Sequence, residues 1–535
     1  MSVGSPAGQS GTAAAKPAAG GAVAPAGEPT GRIPGGWVAV VARYGPIVAP
    51  VALMIGLGLW GLTRDSSMGN DEVATRWAAL LSLHELAHLL RHVDGVHGLY
   101  YLLMHFWTVV GSTPTVLRIP SVIAMVIAVA LTAVLARRLT GSGWAGLFAG
   151  LIMALTPSIS YYAQTARSYA MVLACVVAAT LVLTQALSCE AADDRRRATR
   201  WWVIYAALIA LGGYLNEMSL LVLAAHAVTV LLARYGRRSL TRWLTASAIG
   251  TALVLPLVAL SVRQHAAVSW IGRPGLAALR TLFHDYLGPS TAVGILLLLV
   301  AVLAVLPAEG APWWRAGGVS LSSVALPLVV LPAFILLVES RLLPPLYVDR
   351  YVLYGEAGAA LLVGAGVYRA GQWLARAGHW REFVVVPGAV VCVLALLLQL
   401  GAQHRIRTPQ SRAYDFGGAS RLVAAHARQG DGVLYFGTLF RKAELGYPTD
   451  FAKVTDFGVA QTPLQAGTFR GTDKTFGQTL PLMLNYQRIW VIGLKPSAAL
   501  PAGLLREESV ALQDHYSLIL NRRFKGMDVT LWQRG

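Results

Sequence analysis

Gly98-Leu99-Tyr100-Tyr101-Leu102-Leu103-Met104-His105-Phe106-Trp107-Thr108-Val109-Val110-Gly111 decides how this chain is threaded. The run is apolar, but its 14 residues fall short of the roughly 20 needed to cross a bilayer. Its aromatic content suits a helix lying at the membrane interface. With this segment on the surface, the first span is Ile47 to Leu62. Further spans are expected at 116–136, 144–162, 169–187, 201–215, 218–233, 243–262, 290–306, 317–338, 351–368 and 383–401. The clusters Arg137-Arg138, Arg195 to Arg200, Arg234 to Arg242 and Arg369 to Arg381 then all face the cytoplasm, as the positive-inside rule asks. If the segment spanned, every cluster would face outward. The reading is therefore eleven spans, N-terminus in and C-terminus out.

That threading collects a polar set on the outer side: Asp71-Glu72, Gln164 to Arg167, Asn216-Glu217, Arg263-Gln264-His265, His284-Asp285-Tyr286 and Asp349-Arg350-Tyr351. A catalytic site at the outer membrane face follows economically. Composition agrees with an integral membrane protein, since 55% of residues are hydrophobic and only 13% charged. A net charge of +18 suggests nucleic acid at first sight. The arginines, however, sit between apolar segments, where loops meet lipid headgroups, so no nucleic-acid partner is expected. Cys175, Cys189 and Cys392 lie in or beside apolar spans and form neither a metal-ligand pattern nor a disulfide framework.

Three regions are expected. Residues 1–35, rich in Ala, Gly and Pro, read as a disordered cytoplasmic tail. Residues 36–401 form the transmembrane domain, with a juxtamembrane first outer loop over about 63–115. Residues 402–535 read as a small extracytoplasmic α/β domain. Helical character covers Ser420 to His426, and strands are expected at Gly432–Phe436, Arg488–Gly493, Tyr516–Leu520 and Asp528–Trp532. It holds no Gly-rich phosphate loop.

Four motifs carry chemistry. Asp71-Glu72 opens an amphipathic helix after the first span, where the helix dipole favours carboxylates. Glu72 reaches Arg76 one turn on, which leaves Asp71 to face a cavity; the plainer alternative is a solvated first turn. His84-Glu85-Leu86-Ala87-His88 is a literal HExxH, which on a helix can hold zinc. It lacks a convincing third ligand, and a solvated His-rich helix is the preferred reading. In Tyr161-Tyr162-Ala163-Gln164-Thr165-Ala166-Arg167-Ser168-Tyr169 the arginine needs a carboxylate or a lipid phosphate, unless it snorkels. Arg350, in Leu343 to Tyr351, either meets an anionic headgroup or is neutralised by Asp349 or Glu339.

Taken in order, Asp71-Glu72, His97-Gly98-Leu99-Tyr100-Tyr101, Leu117 to Ser121, Ala136 to Gly141, Tyr161 to Tyr169 and Asp349 to Tyr351 resemble the GT-C membrane glycosyltransferases. More narrowly, they resemble the bacterial branch related to protein O-mannosyltransferases and aminoarabinose transferases. The resemblance covers roughly residues 45–400. It implies inverting transfer of a sugar from a polyprenyl-phosphate donor to an envelope glycan, lipid or protein at the outer face. Asp71 is then the base, with Glu72 beside it. His97, Tyr100, Gln164, Arg167, Tyr169, Arg350 and Tyr351 are expected at the substrate site, the two arginines on the lipid phosphate. Two positions depart from the branch. Gly98-Leu99 replaces its usual Pro-Pro, and Thr165 replaces a glutamate, which removes a second carboxylate. No cofactor is implied with certainty; a divalent cation is left open. The competing readings are a transporter or flippase of a lipid-linked intermediate and, behind it, the zinc protease.

Overall fold

The computed structural model describes residues 36–63, 67–306, 318–378, 384–497, 500 and 503–535. The expected tail 1–35, residues 64–66 of the first outer loop, and residues 317, 381 and 383 of expected segments lie outside them. Residues 44–535 form one compact unit.

Each segment expected to span coincides with a helix or helix pair. In chain order the helices are α1 (Gly36–Leu59), α2 (Asn70–Leu80), α3 (Leu83–His92), α4 (Gly98–Trp107), α5 (Pro114–Thr140), α6 (Gly143–Leu155), α7 (Pro157–Ala163), α8 (Tyr169–Ala191), α9 (Arg195–Leu215), α10 (Val222–Ala233), α11 (Arg237–Arg263), α12 (Leu276–Leu287), α13 (Thr291–Val305), α14 (Leu321–Leu342), α15 (Gly355–Gly378) and α16 (Val386–Arg405). Among the described residues, α5, α8, α11, α14 and α16 are each long and apolar enough to cross a membrane. The deciding segment folds as α4, with 10 residues, or roughly 15 Å, half a bilayer core. Tyr100, Tyr101 and Met104 face inward, and Leu102, Leu103 and Phe106 stay exposed, as on an interfacial helix.

Two details differ from the sequence reading. The span expected at 144–162 is broken into α6 and α7, bent by 67° at Thr156, because Pro157 has no N–H and clashes with a continuing helix. His284-Asp285-Tyr286, placed between two expected spans with no element assigned, belongs to α12, which meets α13 at 65°. Gly288 makes that corner with φ of 119°.

The helix bundle packs closely through small residues, as spans do where lipid offers no hydrophobic drive. A Cβ on Gly364 of α15 would lie 2.4 Å from the backbone nitrogen of Ala149 on α6. One end of α5 and α8 carries Arg118 and Tyr169. The other end carries Arg138, which donates to Ser188 at 3.1 Å, and Glu190, which accepts from Arg242 at 2.7 Å. The 23 residues of α8 separate these ends by roughly 34 Å.

After α16 come α17 (Phe416–His426), α18 (Lys442–Gly446), α19 (Phe476–Met483) and α20 (Leu504–His515), with strands β1 (Asp431–Phe436), β2 (Val454–Asp456), β3 (Val459–Gln461), β4 (Thr472–Asp473), β5 (Arg488–Gly493), β6 (Tyr516–Phe524) and β7 (Met527–Arg534). The sheet runs β2-β1-β5-β7-β6; β1 is parallel to β2 and β5, and β7 is antiparallel to β5 and β6. Alternate residues serve two cores. Val433, Tyr435, Trp490 and Ile492 pack with Phe416 and Val423 of α17, while Leu434, Phe436, Ile489 and Val491 pack with Met483 and Leu512. Met68 and Val73 join the first of these cores, whereas Ala74 and Ala78 join the helix-bundle core. Helix α2 is thus held between bundle and sheet, and that sandwich positions the site.

Candidate active site

Helix α2 starts where Glu72 can turn back on Gly69, whose N–H donates to Glu72 Oε2 at 2.9 Å. This satisfies one of the unpaired donors of the helix start. The same carboxylate takes a two-pronged grip from Arg118 of α5, Nε to Oε1 at 2.8 Å and Nη2 to Oε2 at 3.0 Å. Oε1 also accepts from the Ala166 N–H at 2.9 Å, and Arg412 Nη2 stands 3.6 Å from Oε2. Glu72 is 1% exposed. Burial alone would raise its pKa, but Arg118 and Arg412 outweigh burial and hold it near 2. The pairing with Arg76 expected from sequence does not form. Arg76 Nε instead donates to the Ser112 carbonyl at 3.0 Å. Helix α5 brings a buried guanidinium in bidentate geometry, which a flexible neighbour on the same helix face cannot match.

Asp71 points away from this clamp. Its Oδ2 lies 3.6 Å from Arg350 Nη2, with the carboxylate about one-third exposed. Asn70 Nδ2 donates to its Oδ1 at 3.3 Å. Burial raises its pKa, and Arg167, Arg350 and Lys442 together bring it down to about 2, so the carboxylate is ionised at neutral pH. Arg350 is held by Tyr169, whose hydroxyl accepts from Nε at 2.9 Å, and it lies 5.7 Å from each of the rings of Tyr169, Trp270 and Tyr351. Arg167 donates Nη1 to the Tyr101 hydroxyl at 2.9 Å and Nη2 to His97 Nε2 at 2.7 Å. Tyr101 passes its own proton toward Asp94 at 2.7 Å. Burial, then Arg167, lowers the His97 pKa to about 4, so the ring is neutral and can accept that bond.

The structure thus brings Asp71, His97, Arg167, Tyr169, Arg350 and Tyr351 together. Among the described residues, the expected site residues Gln164 and Tyr100 make no hydrogen bond to Asp71, Arg167 or Arg350. Gln164 Nε2 donates to the carbonyls of Leu57, Gly58 and Trp60, at 3.3, 2.9 and 2.9 Å, which ties down the end of α1. Tyr100 is fully buried in the bundle core, and the phenol that meets Arg167 is its neighbour Tyr101. Thr165, standing where the resembling branch has glutamate, accepts from Arg412 Nη1 at 3.1 Å.

Sequence reasoning missed Arg118, Tyr101, Asp94, Arg412 and Lys442. Arg118 lay inside the quoted Leu117–Ser121 motif, and its charge within an apolar span was the available signal. Arg412 and Lys442 had none, because they arrive from the region after the last span. In the HExxH stretch, Glu85 caps its own helix: Oε2 accepts from the Ser82 N–H at 2.9 Å and from its hydroxyl at 2.8 Å. His84 is exposed and His88 half-buried. Among the described residues no group of three or more His, Cys, Asp or Glu could hold a metal ion.

Residues 97–261 match the model of the family described as dolichyl-phosphate-mannose-protein mannosyltransferase. The match runs from His97 through α11 and includes Arg118, Arg167 and Tyr169; Asp71 and Arg350 lie on either side of it. The whole fold is similar to that of ArnT from Cupriavidus metallidurans in the apo state, with a TM-score of 0.57, 13% identity, and coverage of 92% of this chain and 98% of that one. The same values hold for ArnT bound to undecaprenyl phosphate. No curated protein matches the chain. The likeness to ArnT is one of fold, and the long apolar helices are those of a multi-pass membrane protein.

Proposed function

We propose that this chain is an inverting glycosyltransferase that moves a sugar from a polyprenyl-phosphate donor to an envelope glycan, lipid or protein at the outer membrane face. The observation that carries the reading is Asp71, ionised and partly exposed, set against Arg350 at 3.6 Å within a GT-C fold. Asp71 takes the proton of the acceptor hydroxyl as that oxygen attacks the anomeric carbon. The new C–O bond forms as the bond from carbon to phosphate oxygen breaks, and the lipid phosphate leaves with the electron pair. Arg167 and Arg350 stabilise the charge that develops there. Without donor, a carboxylate held near 2 by these cations is a weak base. The donor phosphate, by engaging Arg350, withdraws a cation from Asp71 and raises its basicity in the complex. Glu72, its lone pairs taken by Arg118, Gly69 and Ala166, acts as the organiser of the site and leaves the base role to Asp71.

The arginine-rich end of the bundle, opposite α2, supports an inward orientation for that end and an extracytoplasmic one for residues 402–535. The test is Asp71→Asn, which keeps size and removes the proton acceptor. Cells lacking the chain, complemented with wild type or Asp71→Asn, are compared for envelope glycans and for expression-normalised transfer in membranes. General-base loss predicts a fall of about 10²–10⁴-fold with normal protein levels. Near-normal transfer by the variant sinks the mechanism.

A further inference from the structure

Lys442 opens α18, in the region after the last span, yet its ammonium lies at the start of α2. Nζ donates to the Asn70 carbonyl at 3.4 Å and sits 5.3 Å from the Phe469 ring centroid. The residue is only 6% exposed. An ammonium has three N–H donors, and one long bond leaves most of that capacity unspent in a place where unpaired donors are costly. Its neighbour in sequence shows the contrast: Arg441 meets Asp456 at 2.6 Å and Asp473 at 2.7 Å, as a structural cation should. Among the described residues Lys442 has no carboxylate at ion-pair distance; Asp71 and Asp94 favour its charge from further off, and Arg470 and Arg167 oppose it.

We propose that Lys442 is a third cation of the lipid-phosphate site, so that the extramembrane sheet region completes the catalytic cleft by docking α18 on α2. The inference rests on the glycosyl-transfer reading and deepens it. A donor phosphodiester carries one negative charge, and the phosphate monoester that leaves carries up to two. Arg167 and Arg350 already serve Tyr101, His97, Tyr169 and Asp71. The added charge falls to the ammonium whose donors are unspent. Burial, offset in part by Asp71 and Asp94, lowers the Lys442 pKa to about 8. The charged form therefore binds anion below that pH, and binding weakens as pH rises through it; a bound phosphate moves the fall upward by linkage.

The test uses the full chain in lipid nanodiscs and two probes, undecaprenyl phosphate and undecaprenol, between pH 7 and 9.5. Wild type should prefer the phosphate, and the preference should fall in the upper half of this range. Lys442→Gln should weaken phosphate binding at pH 7 by roughly ten- to a hundred-fold and leave undecaprenol binding unchanged. Lys442→Arg should retain binding and flatten the pH dependence, and this variant decides the matter if the glutamine variant fails to fold. Wild type that prefers the phosphate, with Lys442→Gln matching it at every pH, overturns the role of Lys442. Wild type with no preference for the phosphate overturns the donor reading instead.

Discussion

Glu72→Gln should behave as an unfolding mutation, although it changes one atom on a residue next to the proposed base. In the native site Oε1 and Oε2 accept four bonds, two from Arg118 and one each from Ala166 and Gly69. Glutamine keeps one acceptor oxygen and turns an NH₂ toward two donors. Arg118, 3% exposed, then loses its counter-charge. Removing one partner from a buried ion pair costs about 3–5 kcal/mol. The acid titration gives an independent figure. The Glu72 carboxyl, 4.5 when unperturbed, is held near 2 in the fold, so the native state binds fewer protons than the unfolded one. The stabilisation is full above about pH 4.5 and disappears as pH falls toward 2. Its size, about 3 kcal/mol, agrees with the pair-breaking figure. The assay is denaturant unfolding of purified protein in micelles, followed by tryptophan fluorescence, at pH 7 and pH 4. Wild type should exceed Glu72→Gln by about 3 kcal/mol or more at pH 7. Adding Arg118→Met to Glu72→Gln should recover part of the loss, because it removes the orphaned charge. A loss below about 1 kcal/mol, or no recovery in the double variant, would refute the clamp.

Three further outcomes follow from the same geometry. Arg350→Ala should weaken use of a polyprenyl-phosphate donor by roughly ten- to a hundred-fold, the loss of one charge-assisted pair; unchanged donor dependence would mean that Arg350 only anchors α15. His88→Ala should leave transfer near wild type and the purified protein without stoichiometric zinc, since Glu85 is spent on capping; zinc that disappears with the substitution would revive a metal role. A cysteine at exposed Thr472 should react with an impermeant thiol reagent in intact cells, and labelling only after lysis would reverse the proposed orientation.

The sequence alone carried the helical membrane fold, because the cost of burying polar backbone and charge in lipid forces long apolar runs and sorts arginines to one end. It carried α4 as a non-spanning helix for the same reason, length against bilayer thickness. It also carried the four main strands, whose alternation serves two cores. What it could not carry was partner choice. Glu72 had Arg76 within one turn and took Arg118, 46 residues away, because a buried bidentate pair with two backbone donors outcompetes an exposed contact on one helix. Gln164, expected at the substrate site, donates to three carbonyls at the end of α1, a contact no local pattern announces, since carbonyls left at a helix end need donors. Lys442 and Arg412 reach the site only because one face of the sheet packs on Met68 and Val73. Periodicity reports which face of an element is buried; which distant charge meets it there is decided by tertiary packing alone.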